Sequence, residues 1–578
     1  MIPHNTEVGM KRHHLCIIFM IFLILSGLSC QKQEKLEFII EAEIPKLMEK
    51  ADIPGLSIAV IRKGDIYWSG AFGVRSRETN EPVDEDTIFE AASLTKTVTA
   101  VATLKLVERG EIELDKPLAE YLPYPKLAGD ERYKKITARH VLTHTTGLPN
   151  WGDTLIREPG KLYGYSGEGF LYLGRTIEKI AGMSLSELAR KEIFEPLGME
   201  RTSYVWTDLY AENGATGHDR HGFVGERRRN TEPNGGASLL TTARDYAAFM
   251  CSIMNGQVLK PETIDLMLTS HVRAAKLSEE KREELDEHVS WGFGWGVQPG
   301  EGEDGFWHWG DNGDLRAYTV FYRQKKEGLV FFANSSNLFT VAEDSIALIL
   351  DERQYSLDWL NYQRLDDPER IASMMVEKVF LTEGKEAGLI KLEEIRRQHP
   401  EVFKAENLNG TARYLAGRDK QGEAEAVFKW MIERDPQEVI ALAGLGRLYL
   451  EMGRNRESLE CLEKNLELDP ENSFAKNAIP WIKDMIEAEE NPVTVEKERL
   501  EKYAGDYGPR HVRLKEGRLY YQREGRQEYR LVPLKQDTFA LEGYGGFRLR
   551  FEMNESGEVI KVIGLYLEGR TDESVRDK

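Results

Sequence analysis

The chain has 578 residues, of which 41% are hydrophobic and 30% are charged. This balance is typical of a globular protein, and the length predicts roughly three to four domains. The formal net charge is −20, from 77 basic and 97 acidic residues. Such an acidic chain is a poor partner for nucleic acid or for an anionic membrane surface. Composition and charge therefore disfavour both of those function classes.

The N-terminal segment has the features of a targeting signal. A basic start at Lys11 and Arg12 precedes an apolar run, 15–25, that is too short to span a bilayer as a mature helix. The run is followed by Ser26-Gly27-Leu28-Ser29-Cys30, and the whole segment resembles a bacterial lipoprotein signal. That resemblance implies a signal peptide over 1–30, a lipid anchor at Cys30, and an exported, periplasm-facing, membrane-anchored lipoprotein. Gly27 stands where such signals usually carry leucine, so ordinary cleavage and release is the alternative.

Residues 36–352 mix strand and helix signals and predict an α/β domain. Thr95 to Glu108 is largely apolar and predicts a buried helix. Two pairs of apolar runs predict strands, and the first pair predicts a hairpin around Arg62-Lys63-Gly64-Asp65. These runs are Leu56–Ile61, Ile66–Phe72, Ala317–Tyr322 and Leu329–Ala333. Because they lie at both ends of the segment, we expect one sheet to join the two ends.

Residues 365–490 predict an all-α region with an internal repeat. The stretch 407–436 aligns on 441–470 with an offset of 34 residues. Gly410 then matches Gly444, Arg413 matches Arg447, and Asp435-Pro436 matches Asp469-Pro470. This period resembles tetratricopeptide repeats, which implies a groove for a protein or peptide partner. A rigid spacer is the alternative. Residues 384–400 predict half of a degenerate third repeat, and Ser473 is expected to cap a final helix.

Residues 497–570 predict a small all-β domain, an antiparallel sheet or barrel. Short strand signals alternate here with turns that are marked by Gly517, Gly525 and Gly543. The predicted strands are Val512–Leu514, Arg518–Tyr521, Tyr529–Leu531, Thr538–Leu541, Phe547–Glu552 and Val559–Tyr566. The fold class is therefore multidomain: α/β, then all-α repeats, then all-β.

The pattern Ser-x-x-Lys is the first candidate catalytic motif. On a helix it places a hydroxyl and an amine on one face, and a desolvated lysine can take the proton of the serine. The pattern occurs four times, at Ser29, Ser93, Ser278 and Ser473. Only Ser93 and Lys96 open a buried helix, where unpaired N–H groups favour negative charge. The other three lie at the signal cleavage site, in an acidic run and at a repeat helix.

Two further elements follow along the chain. Tyr165-Ser166-Gly167 offers a tyrosine that can relay a proton if nearby cations lower its pKa. His308-Trp309-Gly310 precedes a predicted strand, where a histidine suits an electrostatic or proton-relay role. Each element alone has an ordinary structural explanation: a half-buried tyrosine, or a histidine packed between tryptophans.

In this order and spacing the three elements resemble the serine β-lactamase and penicillin-binding protein superfamily. The resemblance is strongest to the class C β-lactamase-like hydrolases, which include esterases and D-aminopeptidases. It covers 36–352, with support from the stretches 136–149 and 235–245. Leu500–Tyr507 similarly resembles the start of the accessory β-domain that follows many serine hydrolases.

The resemblance implies a mechanism. Ser93 attacks an acyl carbonyl, Lys96 and Tyr165 shuttle the proton, and water clears the acyl-enzyme. The oxyanion lies between the backbone N–H groups of Ser93 and Asp311. His308 stands where the usual Lys-Thr-Gly triplet has lysine, as in the esterase and peptidase relatives.

Two departures direct the prediction away from β-lactams. Gly167 stands where the tyrosine element usually ends in asparagine, whose amide contacts the substrate, and Trp309 is bulkier than the usual middle residue. We therefore predict an exported serine hydrolase for an acyl ester, a D-amino-acid peptide or a peptidoglycan fragment. A β-lactamase or D,D-carboxypeptidase is one alternative. A catalytically silent recognition protein that works through its repeats is another.

The sequence indicates no cofactor and no metal site. It contains no HExxH, no phosphate-binding Gly-Lys loop and no paired CxxC. After processing, Cys30, Cys251 and Cys461 remain, so we expect neither a structural disulfide nor a cysteine metal site. His140 and His144 are interpreted as structural. Arg316 either meets a substrate carboxylate or, as favoured here, forms a salt bridge with a nearby acid.

Overall fold

The computed structural model describes residues 36–275, 287–524, 526–567 and 569–577. It divides the chain into two compact units, Met1–Leu365 and Asp366–Lys578. The predicted signal segment, with Ser29 and Cys30, and the motif at Ser278 lie outside the described residues.

The first unit is built on one antiparallel sheet in the order β2-β1-β10-β9-β8-β7-β6-β5. The predicted hairpin is β1 and β2, and β1 also pairs with β10, Leu56 lying opposite Ala333. The two ends of the segment therefore share one sheet, as predicted. The strands are β1 Gly55–Arg62, β2 Asp65–Gly73, β3 Phe89–Ala92, β4 Leu239–Thr241, β5 Val272–Arg273, β6 Ser290–Trp291, β7 Gly296–Gln298, β8 Gly305–Asp311, β9 Arg316–Tyr322 and β10 Glu327–Ala333. Strands β3 and β4 form a separate two-stranded ribbon.

Helices cover this sheet and carry the rest of the unit. They are α1 36–51, α2 Thr95–Glu108, α3 Leu118–Tyr121, α4 Ala138–Leu142, α5 Gly167–Ala181, α6 Leu185–Ala189, α7 Glu195–Leu197, α8 Asp208–Asn213, α9 Ala243–Met254, α10 Pro261–Leu268, α11 Ala342–Ala347 and α12 Tyr355–Leu360. Helix α2 has the predicted bounds and is almost wholly buried. Its threonines can be buried because their hydroxyls donate to carbonyls of the preceding turn, as Thr103 does to Thr99 at 2.8 Å.

The second unit begins with helices, as the fold class predicted. They are α13 Pro368–Glu383, α14 Lys385–Gln398, α15 Ala405–Ala416, α16 Gln421–Arg434, α17 Val439–Glu451, α18 Asn455–Leu468 and α19 Ser473–Glu490. The aligned stretches correspond to the pairs α15 with α16 and α17 with α18. The predicted half repeat, 384–400, contains the single helix α14, and α13 precedes it. Ser473 was expected to cap α19, but the cap is Asn472, whose side chain accepts the Ala475 N–H at 3.0 Å.

The unit ends, after the short helix α20 Lys497–Tyr503, with an antiparallel meander. Its strands are β11 Gly505–Tyr507, β12 Arg510–Lys515, β13 Arg518–Arg523, β14 Glu528–Lys535, β15 Thr538–Leu541, β16 Tyr544–Met553, β17 Val559–Tyr566 and β18 Thr571–Val575. Neighbours in sequence are neighbours in the sheet. The sequence did not predict β11 and β18. The multidomain fold class, α/β then helical then all-β, is confirmed.

Across the parts of the chain that the structure describes, no helix is both long enough and apolar enough to cross a membrane.

Candidate active site

Ser93 lies in a tight turn between β3 and α2. The preceding residue, Ala92, has a φ of +47°, a left-handed conformation that is uncommon for a residue with a Cβ. This backbone folds the chain sharply from strand into helix and leaves the Ser93 side chain half-buried at the bend. Helix α2 proper begins two residues later, at Thr95.

Lys96 is the immediate partner of Ser93. Its Nζ lies 3.0 Å from the Ser93 Oγ and donates a second hydrogen bond to the Gly236 carbonyl at 2.6 Å. The side chain is completely buried. Burial lowers its pKa from 10.5 to about 7 because the charged form loses its hydration. Near neutral pH the amine is therefore neutral in a large fraction of molecules and can accept a proton from Ser93.

Tyr165 packs against the same amine. The Lys96 Nζ lies 4.8 Å from the centre of the Tyr165 ring. Burial raises the pKa of the Tyr165 hydroxyl, and the neighbouring Ser93 lowers it by less. Nearby cations therefore do not lower this pKa: desolvation dominates, and Tyr165 is a neutral phenol beside the serine. Its hydroxyl makes no hydrogen bond of normal geometry with a described residue.

His144 supports Tyr165 from behind. Its ring centre lies 4.3 Å from that of Tyr165, and its Nδ1 accepts the backbone N–H of Ser166 at 3.0 Å. Burial, and then the nearby Lys96 and His308, lower the pKa of this histidine, so it is neutral. His144 is thus structural, as interpreted, but it belongs to the site. No local sequence pattern indicates this placement, because His144 and Tyr165 are 21 positions apart.

His308 lies on β8 and is completely buried. Its Nδ1 is 2.8 Å from the Trp309 carbonyl oxygen. Burial and then Lys96 lower the pKa of His308 to about 3. The imidazole is therefore neutral at physiological pH. It can exchange hydrogen bonds or relay a proton, but it adds no positive charge to the site.

Strand β8 approaches the nucleophile through Gly310. A Cβ on Gly310 would lie 2.4 Å from the Ala91 carbonyl oxygen and 3.2 Å from the Ala92 Cβ, so only glycine fits here. The next residue, Asp311, lies opposite Arg316 on β9. The neighbouring pair is hydrogen-bonded, because Asn312 N donates to Leu315 O at 3.1 Å. In an antiparallel ladder, hydrogen-bonded pairs alternate with pairs whose N–H groups point away from the partner strand, so the Asp311 N–H points away from β9. The geometry is thus suited to the implied oxyanion role of the Asp311 N–H.

The Asp311 side chain is held by three groups. Its carboxylate accepts the Tyr362 hydroxyl at 2.6 Å and the Gly313 N–H at 2.7 Å, and it pairs with Arg316 at 3.2 Å. Arg316 therefore forms the favoured salt bridge. Tyr362 follows α12. Sequence reasoning missed Tyr362 because no motif marks it.

The end of the tyrosine element has an unusual neighbour. A Cβ on Gly167 would lie 2.6 Å from the Trp151 ring and 3.0 Å from the Asn150 carbonyl oxygen. An asparagine side chain at 167 therefore does not fit while Trp151 is in place. Ser166 is no nucleophile here: its Oγ accepts the Gly169 N–H at 3.0 Å and donates to Pro149 at 2.8 Å.

The remaining candidates lie away from this cluster or are structural. His140 closes a capping box with Thr137 at the start of α4. Cys251 and Cys461 are free thiols. Among the described residues, no group of three or more His, Cys, Asp or Glu side chains is arranged to hold a metal ion.

Comparison with known proteins bears on the first unit. The Beta-lactamase family model matches residues 40–353, more than half of the chain. Protein flp of Staphylococcus aureus (strain NCTC 8325 / PS 47) is 24% identical over 243 residues, which make up 38% of this chain and 48% of flp.

Two other relatives match the chain at similar levels of identity. Penicillin-binding protein 4 of Amycolatopsis lactamdurans is 27% identical over 301 residues, 46% of this chain and 77% of the relative. Esterase EstB of Burkholderia gladioli is 31% identical over 203 residues, 29% of this chain and 51% of EstB. The chain thus spans about half the length of flp and of EstB.

Proposed function

Since the chain belongs to the Beta-lactamase family, we propose that it is a serine hydrolase that cleaves an ester or amide through an acyl-enzyme on Ser93. One observation carries the proposal. A completely buried lysine, with its pKa lowered to about 7, lies 3.0 Å from the hydroxyl of a serine in a strained turn. Among the described residues no salt bridge to Lys96 accompanies its burial, and burial is the cause of its lowered pKa.

The proposed reaction uses the site as follows. Neutral Lys96 takes the Ser93 proton while the Oγ attacks the acyl carbonyl. The backbone N–H groups of Ser93 and Asp311 stabilise the oxyanion. Lys96 and the Tyr165 hydroxyl return a proton to the leaving group, and a water molecule then releases the acyl group. His308 stays neutral throughout, and its Nδ1 is hydrogen-bonded to the Trp309 carbonyl oxygen.

A fluorescent fluorophosphonate tests the nucleophile. We expect it to label the wild-type protein and not the Ser93→Ala variant. Ser473→Ala is the matched control, because Ser473 and Lys476 have the same spacing but both side chains are exposed. Equal labelling of the wild type and Ser93→Ala would reject the assignment.

The natural substrate is proposed to be an acyl ester, a D-amino-acid peptide or a peptidoglycan fragment. The relatives include an esterase and a penicillin-binding protein. Gly167 and Trp151 disfavour the alternative, a β-lactamase or D,D-carboxypeptidase, because they remove the amide that would contact those substrates. Labelling by the phosphonate but not by a fluorescent penicillin would support this choice, and rapid nitrocefin hydrolysis would overturn it.

Export and lipid anchoring remain part of the proposal. The sequence up to Cys30 motivates them, and Cys30→Ser should release the protein from the membrane fraction. Unchanged fractionation would remove the anchor. The helical region 365–490 is proposed to bind a protein or peptide partner or to serve as a spacer. If Ser93→Ala preserved every cellular effect of the protein, the silent recognition alternative would replace catalysis.

A further inference from the structure

One loop of the first unit exposes three large apolar side chains. Trp151, Ile156 and Leu162 are 48%, 59% and 48% exposed. Single exposed apolar residues are ordinary on protein surfaces, but a cluster on one short loop marks a contact site. We call residues 150–162 the apolar loop.

The apolar loop is fixed to the segments that carry the site. The Asn150 side chain accepts the Gly167 N–H at 2.9 Å, and its carbonyl accepts the Glu168 N–H at 2.8 Å. Further along, Gly160 N donates to Thr145 O at 2.7 Å. These bonds tie the loop to the start of α5 and to the stretch around His144. The loop therefore presents its side chains at a defined place beside Tyr165.

Trp151 reaches the neighbourhood of the catalytic base. Its ring covers Gly167, at the position that a Cβ there would fill. Gly167 in turn lies against Gly236, whose Cβ would be 3.4 Å from the Gly167 Cα. The Gly236 carbonyl accepts the hydrogen bond from Lys96. Gly167 and Gly236 thus lie between the indole and Lys96, and neither glycine has a side chain to fill the space there.

We propose that Trp151 is the wall of an acyl-binding subsite, and that the substrates are esters or amides with a long aliphatic or aromatic acyl group. The inference rests on the proposed function. An indole with half of its surface open, next to side-chain-free Gly167 and Gly236, offers dispersion and apolar burial instead of hydrogen bonds. Ile156 and Leu162 are the other exposed large apolar side chains of the same loop.

A series of p-nitrophenyl esters tests the subsite. The full-length protein is compared with Trp151→Ala on acetate, butyrate and octanoate, and acylation of Ser93 is followed by mass spectrometry as well as by turnover. We expect kcat/KM for octanoate to fall about tenfold in Trp151→Ala, with acetate changed less than twofold, because only the long acyl group reaches the indole. For octanoate, the kcat/KM of Trp151→Phe should lie between those of the wild type and Trp151→Ala.

Trp68→Ala is the matched control. Trp68 also packs on a glycine, Gly70, whose Cβ would lie 2.3 Å from its ring, but it lies on the edge strand β2. Trp68→Ala should leave the ratio of kcat/KM for octanoate to kcat/KM for acetate unchanged. Equal losses on all esters in Trp151→Ala would overturn the subsite and assign Trp151 to loop folding, which a lowered Tm would also report.

Three other results would distinguish a failure of the proposed subsite from a failure of the proposed function. If Trp151→Ala lost binding to phosphatidylcholine vesicles while keeping the ester ratio, the apolar loop would bind a lipid surface and the subsite would be overturned. If the phosphonate labelled Ser93 but no ester acylated it, the acyl specificity would fail while the nucleophile stood. If neither reagent modified Ser93, the proposed function itself would fail.

Discussion

Lys96 has to lose its charge to act as a base, and the fold achieves this by burial alone. The amine is placed among Tyr165 and Phe170, whose ring centres lie 4.8 and 5.8 Å away, and no acidic group appears among the causes of its pKa shift. A carboxylate nearby would have kept the ammonium charged. The absence of such a carboxylate therefore distinguishes this lysine from the paired surface lysines of the same chain.

The rate of phosphonate labelling should follow the titration of Lys96. We expect it to rise about tenfold per pH unit below pH 7 and to level off above, because only the neutral amine accepts the Ser93 proton. The measurement is the second-order labelling rate from pH 5.5 to 9. Lys96→Arg, which keeps a charge at every such pH, should label at least about 100-fold more slowly.

The lowered pKa of Lys96 also determines how the free energy of unfolding depends on pH. Lys96 titrates at 10.5 when unfolded and at about 7 when folded, so between these values the unfolded chain binds more protons. The contribution of Lys96 to the free energy of unfolding therefore rises with pH across this window and is lost as the pH falls to about 7.

A rate of phosphonate labelling that did not depend on pH would contradict the assignment of Lys96 as the base.

At the level of single residues, the sequence indicated the serine and the lysine because their spacing on a helix is local. It could not indicate the pKa of Tyr165, which depends on burial by groups distant in the sequence. His144 and Tyr362 were missed as site residues for the same reason. His144 contacts Tyr165, and Tyr362 contacts Asp311, only in the folded chain.

At the level of elements, strand β8 and the segment after α12 together set the geometry of the oxyanion donor. β8 carries Asp311 past the Ser93 turn, and the segment 361–365 brings Tyr362 onto the Asp311 carboxylate. Tyr362 is itself held by stacking on Phe339, with ring centres 4.4 Å apart. The match to the family model ends at residue 353, so this support lies outside the matched part of the chain.

Tyr362→Phe should therefore impair the reaction more than binding. The substitution keeps the ring and removes only the hydroxyl, so Asp311 loses one of its three fixed contacts. We expect kcat on an ester that the wild type hydrolyses to fall roughly tenfold with little change in KM, as for a group that aligns an oxyanion donor. Steady-state kinetics of both proteins provide the check.

Tyr318→Phe is a suitable comparison, because its hydroxyl is also buried and bonded, to Ser356 at 2.6 Å, but does not touch Asp311. That variant should lower the Tm without the selective loss in kcat. If Tyr362→Phe showed only a lower Tm, or raised KM alone, Tyr362 would be a packing residue and not a positioning one.

At the level of the whole molecule, the sequence predicted the sheet that joins both ends of the first unit and the helical and all-β parts of the second. Apolar runs and a 34-residue period are strong signals. It missed β11 and β18, where Gly505–Tyr507 is short and the burial of Thr571–Val575 alternates between exposed and half-buried. Edge strands with so little buried surface leave no apolar run to detect.

Every residue of the candidate site lies within the first unit, so that unit should react on its own. We expect a fragment of residues 36–365 to be labelled by the fluorophosphonate at a rate within about twofold of the full-length protein. A fragment of residues 36–353 ends where the family model ends and lacks Trp359 and Tyr362. Trp359 is buried and its indole donates to the Ala274 carbonyl at 3.0 Å.

The shorter fragment should therefore have a lower Tm and, at temperatures where it is still folded by circular dichroism, label at least about tenfold more slowly. Equal labelling rates for the two fragments would show that the segment 354–365 is dispensable for the site. Slow labelling of both, compared with the full chain, would instead place a required group outside residues 36–365.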